Sequence, residues 1–208
     1  MSQSPLRIAV LLSGGGRTLQ NFIDLRAKGD LPVEIPIVIG SRPGLYGLTR
    51  AENAGIRTAV VERKASPSLA EFSARVFALC DEVRADLVVL AGWLSLLNLP
   101  DRYLGRAMNI HPALLPSFGG KGMYGHFVHE AVLEHGCKVS GCTVHFLDNA
   151  YDTGPIVLQR TCPVLDDDDA DTLARRVFDQ ETMAYPEAIR LFAEGRLKIQ
   201  GRRVRVMA

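Results

Sequence analysis

An amide and an imidazole two residues apart, Asn109 and His111, close a short apolar run that stops at Pro112. Side chains alternate along a strand, so these two polar groups share one face while Met108 and Ile110 take the other. Pro112 cannot continue the ladder, which places the pair at the carboxyl end of the strand. In open α/β sheets that is where ligands bind. An amide donor beside an imidazole can stabilise a developing oxyanion and move a proton, as acyl transfer requires. Neighbouring loops could equally satisfy both groups with no ligand involved.

Three further segments carry candidate chemistry. Ser13-Gly14-Gly15-Gly16-Arg17-Thr18 lies between an apolar run and a helical pattern. Glycine there lets backbone approach a ligand, and a helix N-terminus offers N–H groups to an anion. The segment suggests a phosphate site, with a plain tight turn as the alternative. It is no dinucleotide fingerprint, because Leu19 stands where a third Gly belongs and Ser41-Arg42 where an acidic residue belongs. Gly120-Lys121-Gly122 does not make a Walker loop either. The polar loop Asp148 to Pro155 has the composition of a hairpin turn, and Asp152 gains a function only if it faces His111. Glu181 falls inside an apolar helical stripe formed by Leu173, Val177, Phe178, Ala184 and Tyr185, so it either completes an ion pair or binds an amine. His126, His129, His135 and His145 match no metal-ligand spacing and are assigned to structure. The run Asp166 to Asp169 is expected to be a solvated turn that caps the next helix.

Strands and helices must position these groups. Arg7 to Leu12, Val33 to Ile39, Thr58 to Val61 and Asp86 to Ala91 are strand-like, with helical patterns after the glycine run, over Leu45 to Ala54 and over Leu69 to Val83. Alternating strands and helices, with the strands nearly all apolar, predict a parallel sheet covered on both faces. Later come a brief strand at Ala107 to His111, a helix at His126 to Glu134, and strands at Gly141 to Leu147 and Ile156 to Cys162. A helical pattern over Asp169 to Glu194 is interrupted at Pro186, and Leu197 to Val206 suggests a hairpin.

A length of 208 residues with 47% hydrophobic content predicts one α/β domain over residues 1–208. Net charge is +1, which provides no overall field for nucleic acid or an acidic membrane. Any anion binding must therefore be local, and a monomer or homodimer without a nucleic-acid or membrane partner is expected. Cys80, Cys137, Cys142 and Cys162 form no CxxC pair and are expected to be reduced thiols. Met1-Ser2-Gln3-Ser4-Pro5 shows no signal-peptide pattern, and no apolar run approaches the ~20 residues of a membrane span, so a cytoplasmic protein is expected.

Together the segments resemble the phosphoribosylglycinamide formyltransferase family, folate-dependent enzymes of purine synthesis. The matching runs are S-G-G-G-R-T-L-Q (Ser13 to Gln20), A-G-W (Ala91 to Trp93), N-I-H-P-A-L-L-P (Asn109 to Pro116), G-C-T-V-H-F (Gly141 to Phe146), Y-D-T-G-P-I-V-L-Q (Tyr151 to Gln159) and Q-E (Gln180-Glu181). The resemblance implies a Rossmann-like α/β fold, a mostly parallel twisted sheet with helices on both faces and antiparallel strands in the C-terminal half. It implies 10-formyltetrahydrofolate as co-substrate, no metal, and Asn109, His111 and Asp152 as the catalytic group. Gly14, Gly15, Gly16, Arg17 and Thr18 would hold the substrate phosphate, and Glu181 would meet the glycinamide. Leu94, Ser95, Leu96 and Leu97, with Asn109, Asp148 and Asp152, would line the folate site.

Against the familiar pattern of that family, Arg17-Thr18 replaces a Ser-Asn, and Leu69 and Ser95 stand where arginines are often found. The loop Phe118 to His126 is longer and richer in glycine, and is expected either to act as a flap with Lys121 available to the phosphate or to be a plain surface connector. Asp152 is expected to raise the pKa of His111 above its ordinary value of ~6.5. Two competing functions are a formyl transfer to another amine and a non-catalytic nucleotide-binding module. Convergence of Asn109, His111 and Asp152 separates the second from an enzyme, since a static module has no reason to bring them together.

Overall fold

The structure, a computed structural model, describes residues 5–208, so the reading of Met1 to Ser4 lies outside the described residues. The chain divides into two compact units, one up to Met108 and the other from Asn109 onward.

The first unit alternates β1 (Leu6–Leu12), α1 (Arg17–Lys28), β2 (Val33–Gly40), α2 (Tyr46–Asn53), β3 (Thr58–Val60), α3 (Leu69–Glu82) and β4 (Leu87–Leu90). The strands lie in the order β3-β2-β1-β4, and β1 pairs in parallel with both β2 and β4. This is the strand order of a Rossmann-type half-sheet. Ile8 to Leu12 and Leu87 to Val89 are almost wholly buried, as apolar runs covered on both sides must be. Helix α1 buries Leu19 and Phe22 and ends at Gly29 in the left-handed region, which only glycine adopts without cost. Ser68 caps α3 by accepting the Glu71 N–H at 3.1 Å.

β5 (Ala107–His111) ends in the second unit, which continues with α4 (His126–Glu134), β6 (Val139–Phe146), β7 (Ile156–Pro163), α5 (Ala170–Ala193), β8 (Leu197–Gln200) and β9 (Arg203–Val206). The order here is β5-β6-β7-β9-β8, with β6–β7 and β8–β9 antiparallel. Two glycines allow the tight β6–β7 crossing. A Cβ at Gly141 would sit 2.0 Å from the Arg160 carbonyl oxygen, and one at Gly154 would sit 1.8 Å from that of Phe146. Asp169 caps α5 in a reciprocal capping box with Thr172, so the acidic turn does what its composition suggests. Among the described residues, no helix is long and apolar enough to cross a membrane.

One expectation fails. The helical pattern does not break at Pro186, because α5 runs unbroken for 24 residues with Pro186 buried inside it. A proline inside a helix costs ~3 kcal/mol locally. Here Ala184, Tyr185, Ala188 and Ile189 are all fully buried around it, on a helix that packs against β6 and β7. Burying such side chains is worth roughly 1.5–3 kcal/mol for each large one, which outweighs the local break.

His129 on α4 generates a prediction. It is 4% exposed, its Nδ1 has no hydrogen-bond partner, and burial, aided by His126 and His111, pushes its pKa down to about 4. Below ~6.5 the unfolded chain takes up a proton that the folded His129 refuses, so stability falls as pH drops from there to about 4. The loss should reach about 2–3 kcal/mol. Urea melts between pH 7.5 and pH 4 should show this slope, and His129→Gln should flatten it. An equally steep slope in the variant would refute the assignment.

Candidate active site

The carboxyl end of β5 presents Asn109 and His111 on one face, and the structure brings Asp152 to them. The Asn109 amide lies 3.5 Å from Asp152 Oδ1, and His111 Nδ1 lies 3.6 Å from Oδ2. A residue assigned to structure joins the group: His145 on β6 has its Nε2 3.3 Å from the Asn109 amide and 3.6 Å from Asp152 Oδ1. Its Nδ1 donates to the Phe146 carbonyl at 2.9 Å, which leaves Nε2 free to accept from Asn109. The signal for His145 was its alternation with Thr143 along a buried strand, two polar residues on one face.

Backbone completes the cluster. The Gly120 N–H donates to Asp152 Oδ2 at 2.9 Å, and His111 Nε2 donates to the Phe118 carbonyl at 2.7 Å. Phe118 and Asp152 both lie in the left-handed region, at φ of 53° and 57°. Non-glycine residues hold that conformation only where surroundings enforce it, as often happens at functional sites. Gly119 packs closely here, since a Cβ on it would stand 2.5 Å from Leu115 Cδ2 and 3.3 Å from Asp152 Cβ, so a larger residue requires the Leu115 side chain to move.

The group is dry. His111 is 3% exposed, His145 is 2% exposed, and the Asp152 side chain is 10% exposed. Burial alone would raise the Asp152 pKa, but its interactions with His145 and His111 and the Gly120 N–H outweigh it and hold the carboxyl below its usual range. For His111 the balance is the reverse of the expectation. Burial lowers its pKa by more than Asp152 and the Phe118 carbonyl raise it, and His145 lowers it further. His111 therefore rests neutral beside an ionised Asp152.

In the first unit, β1 leads into Ser13 to Gly16, and α1 starts at Arg17. Gly16 is left-handed at φ 70°, and a Cβ on it would stand 2.7 Å from the Gly47 Cα. Gly14 and Gly15 are exposed, with nothing within 4 Å of where a side chain would begin. Gly16 offers no side chain to cap α1, so the first-turn N–H groups are left to other acceptors. Gly47 and Arg50 on α2 are contributors that the sequence reading missed. The Gly47 N–H donates to the Gly14 carbonyl at 3.2 Å, and Arg50 donates to the Gly15 carbonyl at 2.9 Å and to Gln20 at 2.8 Å. Ser13 ties the loop to the next segment: its N–H meets the Gly92 carbonyl at 3.0 Å, and its hydroxyl accepts the Leu94 N–H at 3.2 Å. Leu94 is 48% exposed, Ser95 and Leu96 are half-buried, and Leu97 is buried.

Glu181 is half-buried on α5, and its charge helps hold the buried Cys142 thiol protonated. Asp148 is absorbed into its own loop, accepting from the Thr153 hydroxyl and the Ala150 N–H. Lys121 is exposed, while the start of its loop is tied to His111 and Asp152 through Phe118 and Gly120.

Comparison with known proteins agrees with this geometry. The family model described as formyl transferase matches residues 6–189. A phosphoribosylglycinamide formyltransferase from Haemophilus influenzae is 37% identical over 196 residues, covering 93% of this chain and 90% of that protein. The trifunctional purine biosynthetic protein adenosine-3 of Gallus gallus is 38% identical over 93% of this chain, which spans only 19% of that longer protein. Among solved structures, glycinamide ribonucleotide transformylase 1 from Symbiobacterium toebii superposes with a TM-score of 0.92 at 43% identity, covering 100% of this chain and 96% of that one. With the α/β strand order, the glycine loop and the buried amide–imidazole–carboxylate group all in place, the chain belongs to the formyl transferase family.

Proposed function

We propose that this protein transfers the formyl group of 10-formyltetrahydrofolate to the amine of 5-phosphoribosylglycinamide, giving the N-formyl ribotide and tetrahydrofolate. The observation that carries this is the convergence of Asn109, His111 and Asp152 in one dry cluster. A non-catalytic nucleotide-binding module has no use for it. The relative from Haemophilus influenzae, matched over 90% of its length, bears that activity in its name.

The chemistry follows from protonation states. The attacking amine is nucleophilic when neutral, so no Ser or Cys nucleophile is needed. As it adds to the formyl carbon, the Asn109 amide donates to the developing oxyanion. A neutral His111 takes the proton that the amine loses, and the ionised Asp152 stabilises the resulting imidazolium. The imidazolium then returns the proton to the departing folate nitrogen. His145 holds the Asn109 amide in place from the opposite side. His111 Nε2 carries the proton donated to the Phe118 carbonyl, so it accepts from the amine only after the ring proton moves to Nδ1, facing Asp152, and the Phe118–Gly120 segment shifts. That is the work assigned to the glycine-rich loop, whose exposed Lys121 is available to the phosphate.

Gly14, Gly15, Gly16, Arg17 and Thr18 are assigned to the ribotide phosphate, supported by the open space at the first two glycines and the helix start behind them. Glu181 is assigned to the glycinamide amine. Leu94 to Leu97, with Asn109, Asp148 and Asp152, are assigned to the folate. The family match spans both compact units, which supports reading residues 1–208 as one formyltransferase domain. The same reading places the protein in the cytoplasm, as a monomer or homodimer acting on small molecules without metal or nucleic acid. The four cysteines, all free thiols, are in keeping with it.

A coupled assay should show formyl transfer to phosphoribosylglycinamide and far less to glycinamide lacking the phosphate, whereas equal use of both would refute the phosphate assignment. Gly16→Ala should raise the ribotide KM at least ~10-fold through the contact with Gly47, with the folate KM nearly unchanged. His111→Ala should lower turnover by ~10²–10³, and Asp152→Asn should lower it strongly. As parts of one unit they should be non-additive in the double variant. The acid limb of kcat/KM should fall below ~6.5, since His111 must be neutral to act, and Asp152→Asn should move it lower still. A double variant showing the full product of the two losses, or an acid limb moved upward, would overturn the coupled mechanism.

A further inference from the structure

The C-terminal hairpin of the second unit concentrates positive charge that the rest of the chain offsets. Arg196, Lys198, Arg202, Arg203 and Arg205 lie within residues 196–208, where no acidic residue stands, although the whole chain carries a net charge of only +1. Arg196 is matched by Glu194 at 3.1 Å, and Arg202 donates to the Thr153 carbonyl. Lys198, Arg203 and Arg205 are exposed and meet no carboxylate among the described residues. Lys198 on β8 stands directly opposite Arg205 on β9, with Gln200 opposite Arg203. Residues paired in this way share one face of the ladder, their Cβ atoms about 4.5–5.5 Å apart, and like charges so placed destabilise it. The hairpin therefore holds a repulsive pair from which its own fold gains nothing.

The reverse face and the open edge complete the feature. Leu197 lies opposite Val206 and Ile199 opposite Val204, so these four apolar residues share the other face, with Ile199 40% and Val206 48% exposed. Among the described residues β8 is an end strand of the sheet, so one side of its backbone presents N–H and C=O groups to no neighbouring strand. Charge on an edge strand also discourages edge-to-edge aggregation, which accounts for Lys198. It does not account for Arg203 and Arg205, because β9 lies between β8 and β7, with Arg203 in register with Ile156.

We propose that β8 is a docking edge for an extended acidic segment of a partner protein, one in which acidic and apolar residues alternate. Such a segment adds as a further strand and pairs its backbone with β8. Its side chains then fall alternately on the two faces, about 6.5–7 Å apart along each. The acidic set meets Lys198 and Arg205, and the apolar set covers Leu197 and Ile199. A second copy of this chain does not fit, because pairing β8 with β8 sets these cations against their own kind. The chain's own acidic run is engaged elsewhere: Asp166 with Lys138, Asp168 with Arg176, and Asp169 in the cap of α5. A nucleic-acid strand supplies charge but no peptide groups at strand spacing, so it leaves the open edge unused. This docking is independent of the proposed reaction, since none of these residues belongs to the buried cluster or the glycine loop.

The probe is a fluorescein-labelled octapeptide alternating glutamate and valine, followed by fluorescence anisotropy on the whole protein. It should bind at least ~10-fold more tightly than the same residues in block order, which carry equal charge without the alternation. Binding should weaken as salt rises from ~0.05 M to ~0.5 M. Lys198→Gln with Arg205→Gln should weaken it at least ~10-fold, while Lys198→Arg with Arg205→Lys should retain it. The glutamine variant should melt no earlier than the wild type, as removal of a repulsive pair requires. An earlier melt marks residues that only hold the hairpin, and it overturns the proposal. So does equal binding of the alternating and block peptides, which marks charge alone. Tighter binding of a single-stranded oligonucleotide of the same charge marks a nucleic-acid surface and overturns it as well. An alternating peptide that fails to bind the wild type, or that binds the glutamine variant equally, does the same.

Discussion

The carboxylate of Asp152 is the group around which the buried polar cluster of the second unit is arranged. An ionised carboxyl taken out of water is costly unless its oxygens are met by donors. Here the Asn109 amide and the Gly120 N–H donate to it, and two imidazoles stand 3.6 Å from its oxygens. The surrounding chain has the form that this requires. Asp152 itself takes a left-handed backbone, Gly154 lets its loop turn against β6, and Gly119 lets the opposite loop approach close enough to donate. Each of these local exceptions serves the same buried charge.

That charge also sets the resting state of its neighbours. Burial and an anion act on His111 in opposite directions, and burial prevails. A neutral imidazole poised beside an anion is a better proton acceptor than one already cationic, because it has capacity to take the proton and a partner to stabilise it afterwards. The same arrangement explains why the Phe118 carbonyl matters. It satisfies the ring N–H of His111, so under the proposed mechanism the loop that carries it yields before the imidazole works. Strain at Phe118, next to two glycines, is consistent with a segment able to do so.

The phosphate site proposed for the first unit is built by different means. No buried charge is needed where backbone N–H groups at a helix start, neighbouring glycines and an arginine on the next helix already provide donors and shape. Gly16 against Gly47 brings two backbones into contact, and Arg50 fixes the Gly15 carbonyl from outside. Elsewhere the fold tolerates departures from local rules where packing is strong. Pro186 sits inside α5 because the residues around it are fully buried. Arg202 from the C-terminal hairpin donates to the Thr153 carbonyl at 3.1 Å, so the last strands help secure the loop that carries Asp152.

The sequence by itself determined the alternation of strands and helices, the parallel character of the first unit, the cap at Asp169, and the residues Asn109 and His111 on one strand face. These follow from periodicity, apolar runs and turn chemistry, which act over a few residues. It also marked Asp152 as a turn residue whose role depended on what it faced. Only the tertiary structure decided that it faces His111, because the partners are 41 positions apart and come together through the β6–β7 crossing. The same holds for His145, for Gly47 and Arg50 behind the glycine loop, and for the downward pKa of His111. Burial is a sum over distant neighbours, and no local pattern in the chain contains that sum. The continuity of α5 through Pro186 belongs with them: its local cost is legible in one residue, while the packing that outweighs it comes from strands elsewhere in the chain.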